Sequence, residues 1–201
     1  ERNNYVVEGK LQRKWTNDEL QLNGRYDFSQ TQEVTTTDML KADGSYRHDF
    51  PNRYFALYRP TLEWNRAYYR DGVPSDYLLL QQEIGVGYNL FKDDRRTLRV
   101  GVSENLFDVW VLTTEEHIAQ TVESIFFEAE LKLPWRVTLR DRGVWYYSFD
   151  NQEDGWENRF ELEKRLTETL SAGIRYEVRY NNPDVRSQDY KLLRLMVGFD
   201  F

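Results

Sequence analysis

Along nearly its whole length the chain keeps one rhythm, with apolar residues on one parity and polar or charged residues on the other. Leu20, Leu22, Gly24, Tyr26 and Phe28 alternate with Gln21, Asn23, Arg25 and Asp27, and Leu40, Ala42, Gly44 and Tyr46 alternate with Lys41, Asp43, Ser45 and Arg47. A period of two belongs to a β-strand with one apolar face; no long segment carries the 3.6-residue period of a helix. Similar segments are read at 54–65, 78–90, 97–106, 118–133, 137–149, 156–166, 170–180 and 190–201, with an opening segment near 5–11. The pattern predicts about eleven strands of barrel-spanning length.

The connections alternate in kind. Tight turns are expected at 50–52, 92–95, 134–135 and 167–169, and longer loops at 30–37, 70–76, 107–115, 150–155 and 181–188. Short turns at one end and longer loops at the other are the habit of outer-membrane barrels. The fold class read from the chain is therefore all-β: an antiparallel up-and-down transmembrane β-barrel, with residues 1–201 as one domain. Single-chain bacterial barrels have even strand numbers, so about twelve strands are expected, one lying upstream of Glu1 or formed irregularly. A soluble β-sandwich or lipocalin-like barrel would show the same alternation with the apolar parity turned inward.

Charge on the polar parity favours the membrane alternative. Folding the hairpin about Thr167–Thr169 pairs Glu161 with Arg175, Arg159 with Glu177 and Glu157 with Arg179, while Leu162–Ile174, Phe160–Tyr176 and Trp156–Tyr180 fill the other face. Cross-strand pairs of opposite charge contribute about 0.2–1 kcal/mol each. Arg136, Arg140 and Arg142 are expected beside Glu157, Glu161 and Glu163, with Glu128 and Glu130 one strand further. The candidate functional element is thus a lumen ladder of Arg140, Arg142, Glu157, Arg159, Glu161, Arg175, Glu177 and Arg179. Gly85, Gly87 and Gly101 share the lumen parity and are expected to leave room for Arg99. A narrow lumen crossed by such pairs is obstructed rather than open.

Composition changes the picture only modestly. Aromatic residues reach 15% (6 Trp, 14 Tyr, 11 Phe), and Trp64, Trp110, Trp145 and Trp156 fall on the apolar parity toward the long-loop end, as an interfacial girdle would. Mean hydropathy is −0.78, but barrels hide their apolar content by alternation. Cysteine is absent and net charge is −7, which leaves no disulfide or thiolate chemistry and argues against nucleic acid as a partner.

Other candidate chemistry is thin. Asp150, Gln152, Asp154, Gly155 and Glu161 match the calcium-loop spacing of an EF-hand, but a strand follows where that motif needs a helix. His48 and His117, the two imidazoles, sit on the apolar parity near strand ends. His117 is the one candidate base for a lipid-acting enzyme, whereas Ser103 and Ser148 lie on the opposite parity. No catalytic, metal or cofactor site is expected, and no enzyme.

The closing strand carries Leu195, Val197, Phe199 and Phe201 on one parity. It resembles the terminal strand of Gram-negative outer-membrane barrels, which implies outer-membrane lipids and the barrel-assembly machinery as partners, with other envelope proteins open. The stretch Arg53-Tyr-Phe-Ala-Leu-Tyr58, then Trp64-Asn65, Tyr68-Tyr-Arg-Asp71 and Gly85-Val-Gly-Tyr88-Asn-Leu90, is similar to the salt-induced outer-membrane protein family, a domain-of-unknown-function family of Gram-negative bacteria. The resemblance runs from about Leu11 to Phe201. It implies a porin-like barrel of the bacterial outer membrane, of undefined activity, and carries over no site residues. Three function classes follow: a structural or accessory barrel or narrow small-solute or ion path; a lipid-acting outer-membrane enzyme; and a soluble β-domain binding a ligand or partner.

Overall fold

A computed structural model describes residues 2–31, 34–67, 69–70, 73–149, 152–180 and 189–199. The strands are β1 (Arg2–Lys14), β2 (Asp18–Thr31), β3 (Val34–Asp49), β4 (Tyr54–Asn65), β5 (Tyr69–Arg70), β6 (Val73–Pro74), β7 (Tyr77–Lys92), β8 (Arg96–Val111), β9 (Glu116–Leu133), β10 (Val137–Ser148), β11 (Glu153–Arg165), β12 (Leu170–Tyr180) and β13 (Tyr190–Phe199). Eleven form one antiparallel sheet in chain order, and β5 and β6 pair as a separate ribbon between β4 and β7. The fold is an all-β, antiparallel up-and-down barrel wall. Its edges are β1 and β13, which run in the same direction in an eleven-strand meander; closure by antiparallel pairs alone needs an even number.

The hairpin of β11 and β12 has the register expected from its charges, with Glu157↔Arg179, Arg159↔Glu177, Glu161↔Arg175 and Leu162↔Ile174 as partners. Several loops are shorter than expected. β2 runs to Thr31 and β3 starts at Val34, β8 runs to Val111, and β11 starts at Glu153. Backbone ladders need only hydrogen-bonding partners, so they continue past the point where the apolar alternation stops. At the opposite end, Asp93 tightens the β7–β8 turn: its carboxylate accepts from the backbone N–H groups of Arg95 (2.9 Å) and Arg96 (2.8 Å) and from Arg96 Nε (2.8 Å). The Arg96 guanidinium and these N–H groups hold its carboxyl below the usual range.

The two faces of the sheet are inverted relative to a soluble barrel. Leu195 is 86% and Ile174 42% exposed, whereas Glu161 is 8%, Arg175 6% and Glu63 0% exposed. Aliphatic residues such as Leu22, Leu62, Ile84, Val86, Val102 and Ile125 also lie exposed on the outside. Burying ionised groups is tolerated only where they pair, so the interior must be a network of ion pairs. Phe199's side chain and Phe201 lie outside the described residues.

The glycines do not make room for Arg99. A Cβ on Gly87 would stand 2.3 Å from Phe55 Cζ, and one on Gly101 2.3 Å from Phe126 Cζ. The missing side chains seat two inward phenylalanine rings, 6.2 Å apart between centroids. Arg99 instead binds Asn89 Oδ1 (3.1 Å) and Glu128 (3.4 Å). Gly101→Ala should therefore destabilise the barrel by about 1–3 kcal/mol, the usual cost of overpacking. A lowered urea midpoint, partly recovered by adding Phe126→Leu, is the expected result.

Candidate functional site: the charged lumen

The inward parity of all eleven strands of the sheet supplies acids and bases that meet in the interior. Period-two geometry points every second side chain inward, and strand tilt then decides which of them share a level. The tilt can be read from one contact. The ladder row of Arg179 passes through Glu157, Val144, Phe126, Gly101 and Gly87 to Phe55 in β4. Yet Arg179 meets Glu63, eight residues further along β4. Eight residues at ~3.3 Å over six strand spacings at ~4.8 Å correspond to a tilt of roughly 40°, as barrels require.

Arg142 of β10 is one hub. Its Nη2 donates to both oxygens of Glu83 in β7 (2.9 and 2.7 Å) and its Nη1 to Glu157 (3.2 Å), with Glu128 3.4 Å from Nε. Arg59 of β4 joins the same cluster through Glu83 (3.2 Å) and Glu128 (2.7 Å). Arg140 holds Glu163 (2.7 Å), Glu161 (3.1 Å) and Glu130 (3.3 Å). Arg175 binds both oxygens of Glu8 in β1 (2.6 and 2.8 Å) and Glu161 (3.1 Å). Arg159 lies 3.5 Å from Glu177. Arg25 reaches Glu177 at 3.3 Å and Arg194 reaches Asp27 at 3.4 Å, so β2 is tied to β12 and β13 across the sheet edges. Arg179 grips Glu63 with two bonds (3.1 and 2.9 Å), and Tyr77 also donates to Glu63.

The expected ladder residues therefore all face inward, but their partnerships differ from a neighbour-to-neighbour ladder. Arg142 stands opposite Arg159 in register, a like-charge pairing relieved because Arg142 turns to Glu83. Arg179 reaches across the interior to β4 instead of pairing chiefly with Glu157. Arg136 is outside the network: it belongs to the exposed turn Pro134–Arg136, where it and Trp135 both have φ 60°. Tilt brings distant strands level, and sequence neighbours cannot reveal that.

Sequence reasoning also missed an apolar cluster on the inward face. Phe55, Leu79, Phe107, Val109, Val122 and Tyr146 are buried there, with Tyr77 beside them. A signal existed: Tyr77-Leu-Leu-Leu80 and Phe126-Phe127 are apolar on both parities, which marks strands buried on one face and in hydrocarbon or protein on the other.

What remains open inside is a cavity of about 700 Å³. It extends to the short-turn mouth, where Lys14, Lys92, Asp93 and Lys132 line it, and inward to Lys41, Thr61 and Glu157. On the outer face, Trp64, Trp145 and Trp156 are exposed toward the long-loop end, and Trp110 stacks on His117 at 4.9 Å. His117 binds Asp108 (3.0 Å) and His48 binds Asp18 (2.9 Å), both at the rims. Ser103 and Ser148 are buried on the inward face. The EF-hand-like spacing falls on β11, whose alternate side chains diverge; Asp154 accepts from Trp145 Nε1 (3.1 Å) while Glu161 enters the lumen network, and Asp150 lies outside the described residues. Among the described residues no group of three or more His, Asp or Glu could hold a metal ion.

Comparison with known proteins agrees with this architecture. A crystal structure of the NanC porin in a rhombohedral form is similar over 100% of this chain and 98% of that one, with a TM-score of 0.57 and 12% identity. At that identity the likeness shows the fold. No curated relative matches the chain. A family model described as protein of unknown function, DUF481, matches residues 1–201, and the chain belongs to that family.

Proposed function

We propose that the protein is an integral β-barrel of the bacterial outer membrane, in contact with outer-membrane lipids and placed there by the barrel-assembly machinery. It serves as a structural or accessory component, or as a narrow path for small solutes or ions, and not as an enzyme. The observation that carries this reading is the inverted polarity: aliphatic side chains such as Leu195 and Ile174 stand outside while Glu63, Glu161 and Arg175 are enclosed. On β4 the outward aromatic residues Tyr54 and Trp64 are ten residues apart, and at ~3.3 Å per residue and a tilt of roughly 40° this gives a band near 25 Å, the height of a barrel's apolar belt. No described helix is long and apolar enough to cross a membrane; in this reading the strands cross it.

The expected behaviour is detergent-dependent solubility, a heat-modifiable band on a gel, and little or no steady current in planar bilayers. Solubility of the folded chain without detergent would overturn the membrane reading, and a large steady conductance the obstructed lumen. The reading as a non-enzyme is checked by assaying phospholipid release, since His117 is the outward imidazole a lipid-acting enzyme would use. Salt-induced expression, implied by the family resemblance, is part of the same proposal and is checked by transcript levels after a rise in NaCl.

A further inference from the structure

Glu63 and Arg179 come from opposite walls. β4 is the fourth and β12 the tenth strand of the eleven, so six strand spacings separate them along the sheet. Their side chains nevertheless meet head to head with two hydrogen bonds, at 3.1 and 2.9 Å. At this level the interior is therefore no wider than one arginine plus one glutamate. Glu63 is 0% exposed; Tyr77 donates to it from β7, and Lys41 Nζ lies 3.9 Å away from β3. Leu79, the register partner of Glu63, belongs with Phe107 and Tyr146 to the buried apolar cluster of the inward face. The cavity approaches from the short-turn mouth and reaches Thr61, two residues before Glu63 on the same inward face, and Glu157, the register partner of Arg179.

We infer that the Glu63–Arg179 pair is the closure of the lumen: it makes the cavity a blind vestibule entered from the short-turn end, and it decides what can cross to the long-loop end. This rests on the outer-membrane reading above. A buried, doubly hydrogen-bonded ion pair holds its geometry firmly, because separating the partners costs each desolvated charge its nearest counter-charge. Such a pair serves as a closure better than an apolar contact of the same size, since it cannot slide.

Two measurements test the inference. In planar bilayers, the double substitution Glu63→Ala/Arg179→Ala, which removes bulk without stranding either charge, is expected to give discrete conductance steps absent from the native barrel. The volume-keeping pair Glu63→Leu/Arg179→Met should stay silent. A heat-modifiable Ala pair that remains as silent as the native barrel overturns the closure while leaving the membrane reading intact; a native barrel that never inserts overturns that reading instead. The second measurement does not depend on the alanine pair folding. The chain has no cysteine, so Thr61→Cys provides a single label site in the vestibule. A membrane-impermeant maleimide is expected to modify it in cells with a permeabilised outer membrane and not in intact cells. Equal labelling in intact cells overturns the closure.

Discussion

Arg142→Ala is expected to lower barrel stability by about 3 kcal/mol, the lower end of the cost of removing one partner from a buried ion pair. The lower end applies because the Arg142 side chain retains 21% exposure toward the cavity, where water softens the loss. The effect arises from the number of carboxylates served by one guanidinium. Glu83 loses a two-bond grip from a single nitrogen, Glu157 a 3.2 Å bond, and Glu128 a contact at 3.4 Å. Glu83 retains Arg59 at 3.2 Å and Glu128 retains both Arg59 and Arg99, so the cluster weakens without emptying. Arg142→Lys should recover only part of the loss, because an ammonium is a point charge that cannot address three carboxylates with a planar fork. Urea unfolding in detergent micelles, followed by tryptophan emission, measures the series. Equal stability of all three proteins would refute a structural role for this hub.

The second large effect is expected from Arg175→Ala, and its main cause lies at Glu8 rather than at Glu161. Glu161 does not become an orphan, since Arg140 remains 3.1 Å and Arg159 4.0 Å away. Glu8 loses the two bonds by which Arg175 holds β1 against β12. β1 is an edge strand whose backbone ladder lies on β2 alone, so this pair ties one edge of the sheet to the strand next to the other. The variant should lose heat resistance of the folded band and expose β1 to proteolysis before the rest of the wall. Glu8→Ala should reproduce that pattern, whereas Glu161→Ala should weaken the wall without freeing β1. Unchanged heat resistance and uniform proteolysis in Arg175→Ala would remove the edge tie as an explanation.

Strand number, direction and most boundaries were legible because alternation reports which residues share a face, and one face of every strand meets a different medium. The β11–β12 register was legible for the same reason, reinforced by charge: a one-residue slip would set Leu162 against Arg175 or Gly173 and take Glu161 off Arg175. Loops were overestimated where the apolar residues change face, as in β8 beyond Leu106, where Phe107, Val109 and Val111 turn inward into the buried cluster. The role of Gly87 and Gly101 was misread because a glycine shows that space is needed but not which side chain takes it. Phe55 and Phe126 lie on the inward parity, where rings were not expected.

The sequence by itself determined an all-β meander with an apolar and an ionic face, since periodicity is a local property of the chain. Only the tertiary structure decided which ions meet. The partner of Arg179 is Glu63, 116 residues away, because strand tilt lifts β12 level with the far end of β4. Arg142 finds Glu83 three strands away for the same geometric reason. Contacts across a lumen depend on tilt and curvature summed over many strands, and those sums leave no mark on any single one.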